Sequence, residues 1–120
     1  MSDDGFSLEL TNGADTFTSS FPDVRGPTDT LSVFDVTTPG EYDLRLVYFE
    51  RGGGSSLELF AAEGSYAAFD SGAFHLVGDT AGGGLAVTGF GGAIQTDVEE
   101  QMHDVNASLW TRIRFDLDDP

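Results

Sequence analysis

The chain of 120 residues contains no cysteine, and its five basic residues are all arginine. Without cysteine there are no disulfides and no thiolate metal sites. Without lysine neither Gly52-Gly53-Gly54 nor Gly82-Gly83-Gly84 can open a phosphate loop, so both glycine runs read as turns. Against five arginines stand 21 acidic residues, a formal net charge of −16. That charge repels nucleic acid and anionic membranes, which need a cationic face, and it excludes both as partners. It favours solubility, divalent cations and high salt. No apolar run is long enough for a transmembrane helix, so no membrane insertion is expected. Met1-Ser2-Asp3-Asp4 has neither a basic nor an apolar leader segment, and any export signal is expected upstream. The two histidines, His75 and His103, have no second histidine at ligand spacing. Ser65, Ser71 and Ser108 lack a nucleophile-elbow context. With 21 acids some pair meets the glycosidase separation by chance, so Glu50 and Glu58 carry no catalytic argument. The chain reads as not an enzyme.

What is present is a β-pattern rich in phenylalanine, with ten such residues, on a chain long enough for one domain. At this length a fold buries roughly 65% of its unfolded surface. Tyr42, Leu44, Leu46 and Tyr48 share one parity, with Asp43 and Arg45 on the other, as in a strand with one face buried. Arg51 to Ser56 breaks the pattern, and Leu57, Leu59 and Ala61 resume it, which predicts a β-hairpin. Phe6, Leu8 and Leu10 alternate before Asn12-Gly13, the strongest short hairpin signal, and Thr16 to Phe21 reads as the returning strand. Leu31 to Val36 predicts a strand with a bulge, because its apolar residues change parity midway. Phe74 to Val77, Leu85 to Val87 and Leu109 to Leu117 predict further strands. Thr96-Asp97-Val98-Glu99 fits a capping box, and Val98, Met102 and Val105 continue it at helical spacing. The expectation is all-β: an antiparallel β-sandwich, jelly-roll-like, with one short helix near residues 97–105. Residues 1–120 read as a single module.

Two stretches resemble known segments. Asp3-Asp4-Gly5-Phe6, Phe34, Pro39-Gly40-Glu41-Tyr42, and the run from Leu44 to Glu50 with Gly52-Gly53 and Leu57-Glu58-Leu59 resemble the later half of a PA14-like domain. That resemblance covers roughly residues 3–60, and its most specific part is the hairpin. It implies a β-sandwich module of a secreted or cell-surface bacterial protein, and several such modules bind carbohydrate. In the sugar-binding adhesin branch an Asp-Asp pair joined by a cis peptide ligates calcium, which holds sugar hydroxyls. Asp3 and Asp4 match that pair, while the family's first half is missing. Residues from Phe74 to Thr80, Ile94 to Val98 and Val105 to Ser108 look like inter-module segments of large secreted bacterial proteins. Residues 94–120 then read either as the opening of a following module or as a strand filling a place in this one.

The candidate metal ligands are Asp3, Asp4 and Asp79, with Asp116, Asp118 and Asp119 as a further acidic group. All are hard oxygen donors of the kind Ca²⁺ prefers, and none has EF-hand spacing. Trp110, at the parity of Arg112 and Arg114, is a candidate platform for a sugar ring, and Tyr66 a candidate cleft residue. For Trp110 the alternative is packing against the helix or a neighbouring module. The two function classes are a non-catalytic carbohydrate-binding or adhesion module with calcium as cofactor, and a structural spacer. In the second class the partners are neighbouring modules, or further copies joined through an open sheet edge.

Overall fold

The computed structural model describes residues 1–88 and 108–117, with Thr88 and the last strand described by backbone alone. Nine strands occur among these residues: β1 (Ser2–Asp3), β2 (Gly5–Thr11), β3 (Thr16–Phe21), β4 (Gly40–Phe49), β5 (Ser56–Leu57), β6 (Phe60–Ala61), β7 (His75–Leu76), β8 (Val87–Thr88) and β9 (Ser108–Leu117). The only helical element described is a 3₁₀ turn over Thr80–Gly82. The helix expected near 97–105 lies outside the described residues.

The main sheet has the order β3-β2-β4-β9-β8, and every pairing in it is antiparallel. Two short ribbons, β1 with β5 and β6 with β7, are the other sheets among the described residues. The protein is therefore all-β and antiparallel, as the alternating pattern predicts.

The period-2 pattern decides which face is buried. Leu8 and Leu10 of β2 pair with Leu46 and Leu44 of β4, so their side chains share one face. Tyr42, on that face, is fully enclosed, and Leu8, Leu10 and Leu44 are buried with it. Phe34, Leu59 and Leu85 press onto this cluster from segments outside the sheet. Among the described residues, what covers this face of the sheet comes from loops, through these apolar anchors. Phe17 and Phe34 stack at 5.1 Å, and Phe17 lies 6.1 Å from Tyr42, which ties the strap of residues 31–38 to the core.

Two expectations about pairing are corrected. Leu57 does not return along β4 as a hairpin partner; Ser56–Leu57 pairs with Ser2–Asp3 instead. Both edges of β4 are taken, by β2 and β9, so no third strand can bond to it. Leu31 to Val36 forms no strand. Its alternation is spent on a strap whose Phe34 turns inward while Leu31, Val33 and Val36 stay exposed. The Asn12-Gly13 turn forms as expected, with Asn12 Oδ1 accepting from the amides of Ala14 and Asp15 and Gly13 at φ 90°.

Candidate metal and glycan site

The site is built where the chain's first strands meet the end of β4. Asp4 is only 2% exposed, and its carboxylate reaches two loops distant in sequence. Its Oδ1 accepts the backbone N–H of Arg25 at 3.0 Å and its Oδ2 that of Arg51 at 2.8 Å. A buried carboxylate is tolerated when each oxygen has a donor, and here the amides supply both. Ser2, equally buried, donates its hydroxyl to the Asp4 carbonyl and accepts from Arg25 Nη2 at 2.6 Å. The Arg25 guanidinium lies over the Phe21 ring at 4.2 Å, a cation–π contact.

Asp3 follows a different course. The Asp3–Asp4 peptide bond is cis. Asp3 is half-buried, its carbonyl accepts from the Tyr48 hydroxyl, and Ser56 is its partner across the ribbon. Burial first, then the charges of Glu50 and Asp4, push its carboxyl above the usual 3.8. Glu50 receives the Tyr48 hydroxyl at 3.1 Å and the Gly52 N–H at 2.6 Å. Burial, the hydrogen bond to Glu50 and the charges of Glu50, Asp3 and Asp4 hold the Tyr48 phenol far above its usual range. The Ser56 hydroxyl is buried with no hydrogen-bond partner among the described residues. The glycine loop passes close by: a Cβ built on Gly54 would lie 3.9 Å from Asp3 Oδ2.

Gly5 completes the triplet for a steric reason. A side chain there would meet the Phe21 carbonyl oxygen at 2.6 Å and run into the Phe49 ring. Gly5 is the first residue of β2, and close packing requires a glycine there.

Asp3, Asp4 and Glu50 supply hard oxygens of the kind Ca²⁺ takes, but Ca²⁺ needs six to eight of them. Among the described residues no three carboxylate or histidine groups converge closely enough to enclose a metal. A cation there would depend on carbonyl oxygens, the Ser56 hydroxyl or ligand hydroxyls for the rest.

The other candidates lie apart. Asp79 caps the 3₁₀ turn, its Oδ1 accepting from Gly82 N–H at 3.0 Å. Tyr66 is half-buried and packs edge-on against Phe74 at 5.1 Å. Phe69 bridges Phe74 and Phe60, so Tyr66 belongs to a four-ring cluster with Phe69 exposed. Trp110 pairs in register with Val47, two residues along β9 from Ser108, which pairs with Phe49. Since Phe49 also pairs with Gly5, Trp110 sits at the same end of the sheet as Asp3 and Asp4. Asp118 and Asp119 lie outside the described residues, and Asp116 pairs with Glu41. Sequence reasoning missed the double amide anchor of Asp4 and the part played by Ser2 and Arg25. The sequence carries no signal for either.

No family model, curated protein or solved structure matches the chain.

Proposed function

We propose that the chain is a non-catalytic carbohydrate-binding or adhesion module of a secreted or cell-surface bacterial protein. Calcium bound at Asp3, with Asp4 beside it, is the cofactor in this reading. One observation carries it: Asp4 is pinned by two backbone amides, while no described donor reaches the neighbouring Asp3 carboxylate, which two like charges face. A divalent cation would relieve that repulsion, and calcium's preference for oxygen suits the donors. Trp110 at the same end of the sheet supports a sugar ring as the second partner.

The test is a thermal melt with excess calcium and again with EDTA, followed by a glycan array under both conditions. A ligand at a hundredfold excess over its Kd adds about 2.7 kcal/mol to stability. The expected result is a rise with calcium that magnesium and sodium do not reproduce, and that Asp3→Asn abolishes. No difference between calcium and EDTA would overturn the cofactor, and an empty array the carbohydrate.

A spacer or self-assembling module is the second reading, and β3 supports it. Thr16-Phe17-Thr18-Ser19-Ser20-Phe21 is an edge of the main sheet with no charged residue, in a chain that is 22% charged. Edges without charge or proline invite another strand. Light scattering decides it: a concentration-dependent dimer lost on Thr18→Lys supports assembly, and a monomer at every concentration overturns it.

A further inference from the structure

The outermost strand β3 pairs with β2 along its whole length, from Thr16 opposite Thr11 to Phe21 opposite Phe6. Among the described residues nothing bonds to its backbone on the other side. In an antiparallel strand every second residue directs both its N–H and its C=O the same way, so that side offers donors and acceptors in turn. Sheet edges are commonly blunted by charge, proline or a bulge. Thr16-Phe17-Thr18-Ser19-Ser20-Phe21 has none of these, and its register with β2 is unbroken. In a chain with a formal charge of −16, an uncharged strip is where two copies approach with least repulsion.

The two faces of β3 differ. Thr16, Thr18 and Ser20 are exposed on the outer face, while Phe17, Ser19 and Phe21 are half-buried on the inner one. The strap meets the inner face through side chains: Ser32 donates its hydroxyl to that of Ser19 at 2.7 Å, and Phe34 stacks on Phe17. The hydrogen bond sets the neighbours of Ser32, Leu31 and Val33, beside the middle of β3. Both are exposed, and Val33, at 63%, is the most exposed large apolar residue described. Apolar side chains left in water beside an unpaired strand edge are surface that a partner can bury.

We infer that the partner is a second copy of this chain, its β3 pairing antiparallel with the first about a two-fold axis through Ser19, with Val33 of each strap beside the seam. Directly opposed residues of an antiparallel pair point to the same face. A two-fold axis therefore keeps inner residues opposite inner ones only where it passes through a residue, not between two. An axis at Thr18 pairs residues 16–20 and sets Phe17 opposite Ser19 of the other copy. An axis at Ser19 pairs residues 17–21 and sets Phe17 opposite Phe21 on both sides of the axis, with Thr18 opposite Ser20. Aromatic pairs across strands stabilise a sheet, which selects the Ser19 axis. The same patch serves both copies, so the contact closes as a dimer. The inference rests on the assembly reading and adds to it the partner, the register and the part of the strap.

Disulfide trapping tests the register, because the chain has no cysteine of its own. Opposed residues of an antiparallel pair have Cα atoms about 4.5 or 5.5 Å apart, within disulfide range. Ser19→Cys is expected to cross-link to itself under mild oxidant. Thr18→Cys alone is expected not to, but to cross-link when mixed with Ser20→Cys. Val33→Asp sets a charge beside the axis in each copy, and light scattering is expected to show a dimer weakened by about tenfold or more. Val33 is exposed, so below the Kd of the dimer this variant should melt with the parent. Self-cross-linking of Thr18→Cys and not of Ser19→Cys would move the axis, and would overturn the inference while leaving assembly through β3 standing. A dimer lost on Thr18→Lys that traps neither pair, or that ignores Val33→Asp, would do the same. A dimer that survives Thr18→Lys, or a monomer at every concentration, would overturn both.

Discussion

The Tyr42 hydroxyl lies 2.9 Å from Asp15 Oδ2, the carboxylate by which the first hairpin holds the strap that covers the core. The same hydroxyl lies 2.8 Å from the Thr38 carbonyl. Asp15 in turn accepts the Thr37 hydroxyl and the Thr38 N–H at 3.1 Å. One carboxylate in the β2–β3 turn therefore fixes the end of the strap, and Phe34 stacks on Phe17 further along it. A ring enclosed in the core and a polar group at its tip meet the two demands on a buried tyrosine.

Tyr42→Phe keeps the ring and removes the contact. The substitution is expected to cost about 1 kcal/mol, the usual value of one hydrogen bond. Urea unfolding checks it, and the slope should stay unchanged because the exposed area does. A variant as stable as the parent would mean that Thr37 and Thr38 hold the strap without Tyr42.

Acid should act on two carboxyls in opposite directions. The Tyr42 hydroxyl, followed by Thr37 and the Thr38 amide, keeps Asp15 below its ordinary 3.8 despite some desolvation. Its stabilisation is present above that value and is lost as pH falls through the lower folded value. Asp3 is raised, by burial first and then by Glu50 and Asp4. Its contribution is present below 3.8 and is lost as pH rises through the higher folded value, so at neutral pH its charge opposes folding. In EDTA, Asp3→Asn should therefore melt higher than the parent at pH 7 and level with it in acid. Asp15→Asn should melt lower at pH 7 and lose less on acidification. Melts of the three proteins from pH 7 to pH 3 check both signs.

Much of the sheet was legible because it depends on local pattern. Leu8 and Leu10, and Tyr42 and Leu44, announce their face by alternation, and Asn12-Gly13 announces its turn. Long-range choice was not legible. Nothing around Leu57 says that its partner is Ser2, and only the occupation of both β4 edges excludes the nearer pairing. Alternation also misled at Leu31 to Val36, where one phenylalanine anchors a strap that makes no ladder. At the site, Asp3-Asp4-Gly5 stood out as a triplet, but the amides that hold Asp4 come from 21 and 47 residues away. A carboxylate bonded to backbone leaves no side-chain signature in its partners.

Gly5→Ala tests close packing at the start of β2. The added methyl would meet backbone, the Phe21 carbonyl oxygen, and not only the Phe49 ring. The cost expected for such overpacking is about 1–3 kcal/mol. Chemical denaturation in EDTA measures it free of any metal. An unchanged midpoint would show that β2 and β3 can separate enough to admit a methyl group.

Asp4 separates anchoring from ligand binding. Asp4→Ala leaves the Arg25 and Arg51 amides without their acceptor in a site that is 2% exposed. Each buried donor left unpaired costs about 1–3 kcal/mol, and hydrogen bonds to a charged acceptor lie toward the upper end. Asp4→Asn keeps one oxygen as acceptor and turns the other into a donor facing an N–H, so it should fall between alanine and the parent. The order parent, asparagine, alanine is expected with EDTA present, because the anchoring needs no cation. If all three unfold at the same midpoint in EDTA and differ only with calcium, Asp4 is a ligand and not an anchor. If the order holds in EDTA and calcium still raises the melt of Asp4→Asn, the cation rests on Asp3 and its neighbours, with Asp4 fixing the loops around them.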